Sequence, residues 1–388
     1  MGIYSNTVNL IQLTVTGDIP SSDRFEWLSK ALAGRGFRSI DETNDELSEG
    51  WVHTDAPDKS DFEVPAVFWR DRYVFFTYRR DIRKISGAVL KNYVSRAEAE
   101  YLAKRPELKR PPKREREEIK DRVKLQLLAK TLPTPSTVDA VWDLDAGVLN
   151  IFTSSESALD RFDNLFVKTF EGLRLQLIFP YVRGLRVLGP ELSPALTAAN
   201  QAGSDAATDQ IASNRWIGQD LLAWLLCNGL NGRDECRVTA DGVTDKGTAF
   251  SVWIDDRIQF QGGGEGGPQK VVVSGSQDKY AEARSALQMG KVIDSATVYV
   301  EMNELEWRFR LDGEKFVFSG FRCPPVRIER EGADEMSERE SAFYERMFLL
   351  GQGLQLFDSL LIAFLQERTG TGWPAWLTSY QEWLETGE

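Results

Sequence analysis

The sequence predicts an α+β protein: antiparallel sheets with packed helices, a protruding basic helical hairpin, and a second α+β domain at the C-terminal end that carries a long terminal helix. Three observations carry this. Strand-length runs with apolar alternation recur between helix-periodic stretches and are punctuated by turn residues. A Pro-interrupted stretch around residue 110 gathers positive charge in an otherwise acidic chain. An apolar stripe spaced alternately four and three residues apart runs from Phe343 to Phe364.

Taken in order, residues 6–15 alternate enough to be extended. Residues 21–37 read as a helix with a Ser cluster at its start, Phe25, Leu28, Ala31 and Leu32 on one face, and Gly34 at its close. Two aromatic and β-branched strands follow, at 48–55 and 66–80. The second ends in the basic segment. Residues 85–104 are helix-like, 105–113 are turn-like through Pro106, Pro111 and Pro112, and 114–132 place Ile119, Val123 and Leu127 four apart. That pattern is a helical hairpin. Residues 138–155 read as two strands joined by Asp145, Ala146 and Gly147, and 157–172 as an amphipathic helix leading into a strand at 173–180. Both this region and the N-terminal one set a helix against antiparallel strands, the pattern of a diverged repeat.

From Gly189 to Ser213 the chain is rich in Ala, Ser, Pro, Asn and Gly, as a linker or loose helix would be. A helix at 214–229 and a meander of strands follow. In the terminal helix Phe343, Met347, Leu350, Leu354, Phe357, Leu361 and Phe364 form the stripe, and Leu349, Leu356 and Leu360 widen it. Width favours burial on the neighbouring sheet, with a subunit interface as the other way to cover it. At 388 residues the chain exceeds what one core usually organises. The expected division is a central domain of 1–78 plus 131–188, a basic tip of 79–130, a linker of 189–213 and a base domain of 214–388.

Composition narrows the chemistry. Three cysteines without a C-x-x-C pair fit a reducing compartment, so a cytoplasmic location is expected. The N-terminus has no basic and apolar leader, Asn6 stands where myristoylation needs Ser or Thr, and the apolar runs near residue 360 read as too short to span a bilayer. No membrane partner is expected. With one histidine, His53, read as a surface or turn residue, Ser-His triads and zinc sites are nearly closed. GGGEGG at 262–267 lacks the GK[ST] of a phosphate loop and reads as a hairpin turn.

A metal-dependent nuclease needs clustered carboxylates. The candidates are Asp255 with Asp256, then Glu301, Glu304 and Glu306, then Asp312 with Glu314 and Lys315. They read as tight-turn and surface acids. No catalytic residue, cofactor or metal site is assigned.

Charge distribution is the strongest functional signal. Residues 79–130 hold seventeen Lys and Arg against eight Asp and Glu, a local +9 in a chain of net −12. That excess is too large for pairing within the hairpin and points to an anionic partner. No helix-turn-helix, zinc finger or homeodomain pattern accompanies it, so sequence-independent contact with DNA phosphates is expected. The assigned contacts are Arg79, Arg80, Arg83 and Lys84 at the hairpin's foot, then Lys91, Lys109, Arg110, Lys113, Arg114, Arg116, Lys120 and Lys124.

The chain resembles the RdgC family of bacterial recombination-associated proteins. The likeness lies in Gly50, Trp51 and Val52; in the helix start Ile85, Val89, Leu90 and Lys91; in Lys120 to Lys124; and in the hairpin residues Trp142, Asp143, Gly147 and Leu149. It covers the first half of the chain. Residues 257–261 are similar to a family strand, and the C-terminal part is longer than the family pattern. The resemblance implies a non-enzymatic homodimer closed as a ring around double-stranded DNA. It also implies an indirect effect on a RecA-type recombinase through the shared DNA and a nucleoid-associated place in the cytoplasm. The alternatives are a metal-dependent exonuclease and an adaptor whose basic hairpin binds an acidic protein of the recombination machinery.

Overall fold

The computed structural model describes residues 2–199, 207–264, 267–275, 281–326 and 335–386. In chain order the elements begin with β1 (Thr7–Thr16), α1 (Arg24–Gly34), β2 (Leu47–Val52), β3 (Trp69–Arg70) and β4 (Tyr73–Ile82). The hairpin helices α2 (Gly87–Ala103) and α3 (Lys113–Leu128) follow, then β5 (Thr134–Asp143), β6 (Val148–Ile151), α4 (Glu156–Thr169) and β7 (Arg174–Leu177). Next come α5 (Pro180–Val187), α6 (Ser193–Ala199), α7 (Ala207–Ser213), α8 (Arg215–Leu230), β8 (Glu235–Arg237), β9 (Ala249–Gly264) and β10 (Gly267–Ser274). The chain closes with α9 (Ala281–Gln288), β11 (Val292–Met302), β12 (Leu305–Asp312), β13 (Phe318–Arg322), α10 (Glu335–Thr369) and α11 (Trp373–Thr386). This is the predicted α+β class, with antiparallel ladders throughout the paired strands that anchor both units.

Two compact units emerge. The smaller comprises residues 15–149 and 157–174, and the larger comprises 1–14, 150–156 and 175–388. The hairpin thus lies in the same unit as β2, β4 and β5.

In the smaller unit β4 is the central strand, paired with β2 from Leu47↔Ile82 to Val52↔Thr77 and with β5 from Tyr73↔Asp143 to Ile82↔Thr134. One face of these strands is aromatic and packs on α4. Trp51 meets Phe76 and Phe162 edge-on at ring separations of 5.0 and 5.2 Å, and Trp142 meets Phe166 at 5.9 Å. Phe162, Phe166 and Phe170 recur four apart, a spacing that keeps their rings on one face of α4 and its C-terminal end. Gly147, with φ +62°, completes the β5–β6 turn predicted at Asp145, Ala146 and Gly147.

In the larger unit the strand order is β10-β9-β11-β12-β13-β1. α8 and α10 cover one face. Phe357 of α10 sits edge-on to Phe309, Phe316 and Phe318 at 5.8, 5.3 and 5.0 Å, and the indole N–H of Trp307 donates to the carbonyl of Leu349 at 2.9 Å. Every residue of the predicted stripe, and the three leucines that widen it, is buried. The stripe packs on its own unit.

Several expectations need correction. The residues 337–369 are long and apolar enough to cross a membrane by length and composition, contrary to the short-run reading, and 78% of the most apolar window is buried in the protein. A helix apolar on nearly all sides is what a core position also requires. Asp255 and Asp256 do not form a turn between two strands. They lie inside β9, where the register against β11 shifts, and Asp256 takes φ +62° as part of a bulge. The Ser cluster does not cap α1, whose N-cap position is Asp23 in a left-handed conformation with no side-chain cap. His53 is buried, edge-on to Phe62 at 5.2 Å with its Nε2 on the carbonyl of Asp61. Residues 193–199 and 207–213 of the expected linker are short helices, while 200–206, and Glu265 with Gly266 of the glycine loop, lie outside the described residues.

Candidate nucleic-acid interface

The hairpin forms because α3 has one apolar edge and α2 has something to lay against it. Ile119, Val123 and Leu128 are buried on α3, whereas α2 has no buried residue. A cleft of about 570 Å³ opens between the helices, floored by Leu90 and Val94 and edged by Lys91, Arg116, Lys120 and Glu98. On α3 the residues Lys113, Arg116, Lys120 and Lys124 are spaced three, four and four apart, so they share a face roughly 16 Å long.

The assigned cations fall into three groups. Arg79 and Arg83 are committed within the unit, and Arg80 is held, among the described residues, only by a long ion pair. Arg79 donates to both carboxylate oxygens of buried Asp81 at 2.9 and 2.8 Å and lies over the Phe37 ring at 4.4 Å. The Asp81 hydrogen bonds hold its guanidinium above the ordinary range. Arg80 lies 3.8 Å from Glu49. Arg83 is 4% exposed, and its guanidinium donates to the carbonyls of Thr43, Ile40 and Asp41. A buried guanidinium on three carbonyls pins the 40–43 loop and is not open to a phosphate, so Arg83 leaves the set of contacts.

Arg114, Arg116 and Lys124 are half-committed. Arg114 pairs with Glu118 at 3.0 Å and Arg116 with Glu98 at 2.8 Å, while Lys124 donates to Glu46. Exposed pairs of this kind are worth about 0–1 kcal/mol and exchange readily for a phosphate. Lys84, Lys91, Lys109, Arg110, Lys113 and Lys120 are exposed and have no ion-pair partner among the described residues.

The free charge is densest at the crest of the hairpin. Residues 104–114, the crest of the hairpin, hold six cations, Lys104, Arg105, Lys109, Arg110, Lys113 and Arg114, against the single carboxylate of Glu107. Arg105 lies over the Tyr101 ring at 4.2 Å with its residue still exposed. The first turn of α3 adds backbone donors, because Pro112 at the N-cap position supplies no side-chain cap. Lys113 and Arg114 at that positive helix end are unfavourable alone and favourable once an anion sits there. Arg96, Lys104, Arg122 and Lys130 are also exposed without an ion-pair partner among the described residues, and the residue-by-residue assignment missed them. Net local charge was the available signal for them.

Residues 9–183 match the family described as "Putative exonuclease, RdgC". Over this span the chain is similar to the RdgC family. That similarity supports a recombination-related role. No curated protein matches the chain. The RdgC segment contains the whole hairpin and all twelve assigned cations, while 184–388 extends beyond it.

The carboxylates weighed as nuclease candidates lie in this extension, and Asp255, Asp256 and Asp312 are engaged locally. Asp255 accepts the backbone N–H of Asp256 at 2.7 Å, and Asp256 accepts the hydroxyl of Tyr299. Asp312 accepts the backbone N–H groups of Glu314 and Lys315 at 3.0 and 2.8 Å, which closes a turn. Burial and then neighbouring acids push its carboxyl upward against those two hydrogen bonds.

Proposed function

We propose that this protein binds double-stranded DNA through its phosphates, without reading base sequence. It acts as a homodimer that closes as a clamp and modulates RecA-dependent recombination by occupying the DNA. The observation that carries this reading is the crest of the hairpin, six cations against one acid, none of them buried. Lys and Arg on a Pro-rich turn and on one helix face suit a backbone of regularly spaced phosphates. The surplus of acid in the rest of the chain confines DNA to that surface by repelling it elsewhere. Such a role belongs in the cytoplasm, on the nucleoid.

The test is binding to a closed circular duplex and a matched linear one across a salt series. Log affinity falls linearly with log salt, and each phosphate contact removed lowers the slope by about 0.9. Charge reversal at Lys109, Arg110 and Lys113 together is expected to lower it by about 2 to 3, equally for unrelated DNA sequences. An unchanged slope overturns the assignment. The family description favours one second reading, an exonuclease. Magnesium-dependent shortening of the linear duplex, with the circle untouched, decides for it.

A further inference from the structure

The sheet of the larger unit carries, on its open face, a row of side chains that duplex binding by the hairpin does not use. Ladder register places Trp253 of β9 opposite Tyr299 of β11, Tyr299 opposite Arg308 of β12, Arg308 opposite Arg322 of β13, and Arg322 opposite Thr7 of β1. Residues directly opposite share a face. Their strand neighbours Val252, Val298, Val300, Trp307, Phe309 and Phe321 are buried on the other face, under the helices.

The row is ordered as a stack. The rings of Trp253 and Tyr299 lie 5.4 Å apart and within 10° of parallel, and the Arg308 guanidinium stands 5.6 Å from the Tyr299 centroid. The bulge in β9 turns Asp256 so that it accepts the Tyr299 hydroxyl and stands 3.6 Å from Arg308 Nη1. Burial and the Asp256 acceptor push the Tyr299 hydroxyl up to about 12, so the ring is a neutral phenol at ordinary pH.

Arg322 has no such balance. It is exposed, it faces Arg308 directly, and among the described residues no carboxylate pairs with it. Like charges directly opposite on a sheet repel, and an anion between them removes the penalty. At the β11–β12 end Glu301 faces Glu306, which bars an anion from that side. The positive half of the row is therefore the β12–β13 half.

We propose that this row binds single-stranded nucleic acid, with bases stacking on the Trp253–Tyr299 pair and a backbone phosphate held between Arg308 and Arg322. Aromatic faces beside guanidinium groups recognise unpaired bases of any sequence, whereas a duplex hides its base faces. The row spans three inter-strand spacings from Trp253 to Arg322, about 14 Å, enough for a short run of nucleotides.

The test is anisotropy of a labelled 20-nucleotide oligo(dT) with the full-length protein, beside a duplex probe. Trp253→Ala is expected to weaken oligo(dT) binding about tenfold, and Arg322→Glu to weaken it and flatten its salt dependence, with duplex binding unchanged in both. Arg322 is exposed, so Arg322→Glu tests the site without straining the fold, and thermal melting checks both variants. The proposal is overturned if the wild-type protein does not bind oligo(dT) at low salt, or if both variants bind it like wild type. Charge reversal on the hairpin separates the two surfaces. It abolishes duplex binding and spares oligo(dT) if both readings hold, and if it alone removes oligo(dT) binding the row is not the site.

Discussion

At Gly218 in α8 an added Cβ would lie 1.8 Å from the carbonyl oxygen of Gly313, which joins β12 to the turn before β13. Both partners are backbone, so neither yields to a rotamer change. Gly218→Ala is expected to destabilise the larger unit by about 3 kcal/mol or more, read as a lower urea midpoint, and an unchanged midpoint rejects the close approach. The thiols supply a second test at this scale. Burial, ahead of nearby acids, pushes Cys236 up to about 11, and burial pushes Cys323 to about 11 against the opposing pull of Arg346. At pH 8 roughly one thiol in a thousand is then thiolate. Both are expected to resist iodoacetamide in the folded protein at pH 8 and to react promptly in urea; rapid native labelling at pH 8 refutes this. Residue types were legible in the sequence, but their commitments were not. Arg83 and Lys84 are neighbours of the same charge, yet one is buried on loop carbonyls 40 or more positions away and the other is exposed. Only tertiary contacts separate them, and the same holds for the burial of His53 against Phe62.

Elements were legible where a periodic signal reached across a whole helix or strand. The four-residue spacing of Ile119 and Val123 predicted the inward edge of α3, and both are buried. Ile119→Ala is expected to cost about 2–5 kcal/mol, read as loss of α3 protection in hydrogen exchange, with the strands β4 and β5 unaffected. Loss of protection across both strands refutes a separately destabilised hairpin. The stripe on α10 was legible for the same reason. Phe357 is fully buried among three aromatic rings, and Phe357→Ala is expected to cost about 3–5 kcal/mol in denaturant unfolding. What the sequence concealed were departures from period. β9 looks like two strands because Asp255 and Asp256 carry turn chemistry, and the bulge that absorbs them depends on pairing with β11. The short helix α9, with Ala283, Ala286 and Leu287 buried, offers too few turns to stand out beside strong strands.

For the whole molecule the governing quantity is the contrast between a +9 segment and a chain of −12. A protein that only coated DNA would do better with positive charge throughout, since affinity grows with each phosphate neutralised. An acidic chain with one basic surface makes release easy at moderate salt, unless the DNA is also held by topology. The proposed clamp therefore makes a prediction that simple phosphate contact does not. Protein loaded on a closed circular duplex at low salt is expected to stay with the DNA when salt is raised past the point at which it leaves a linear duplex. Cutting the circle once with a restriction enzyme is then expected to release it. Retention on a gel-filtration column before the cut, and loss after it, is the readout. Equal loss from circle and line at the same salt means that the proposed clamp does not close, and leaves the proposed phosphate contacts of the hairpin as the account of duplex binding.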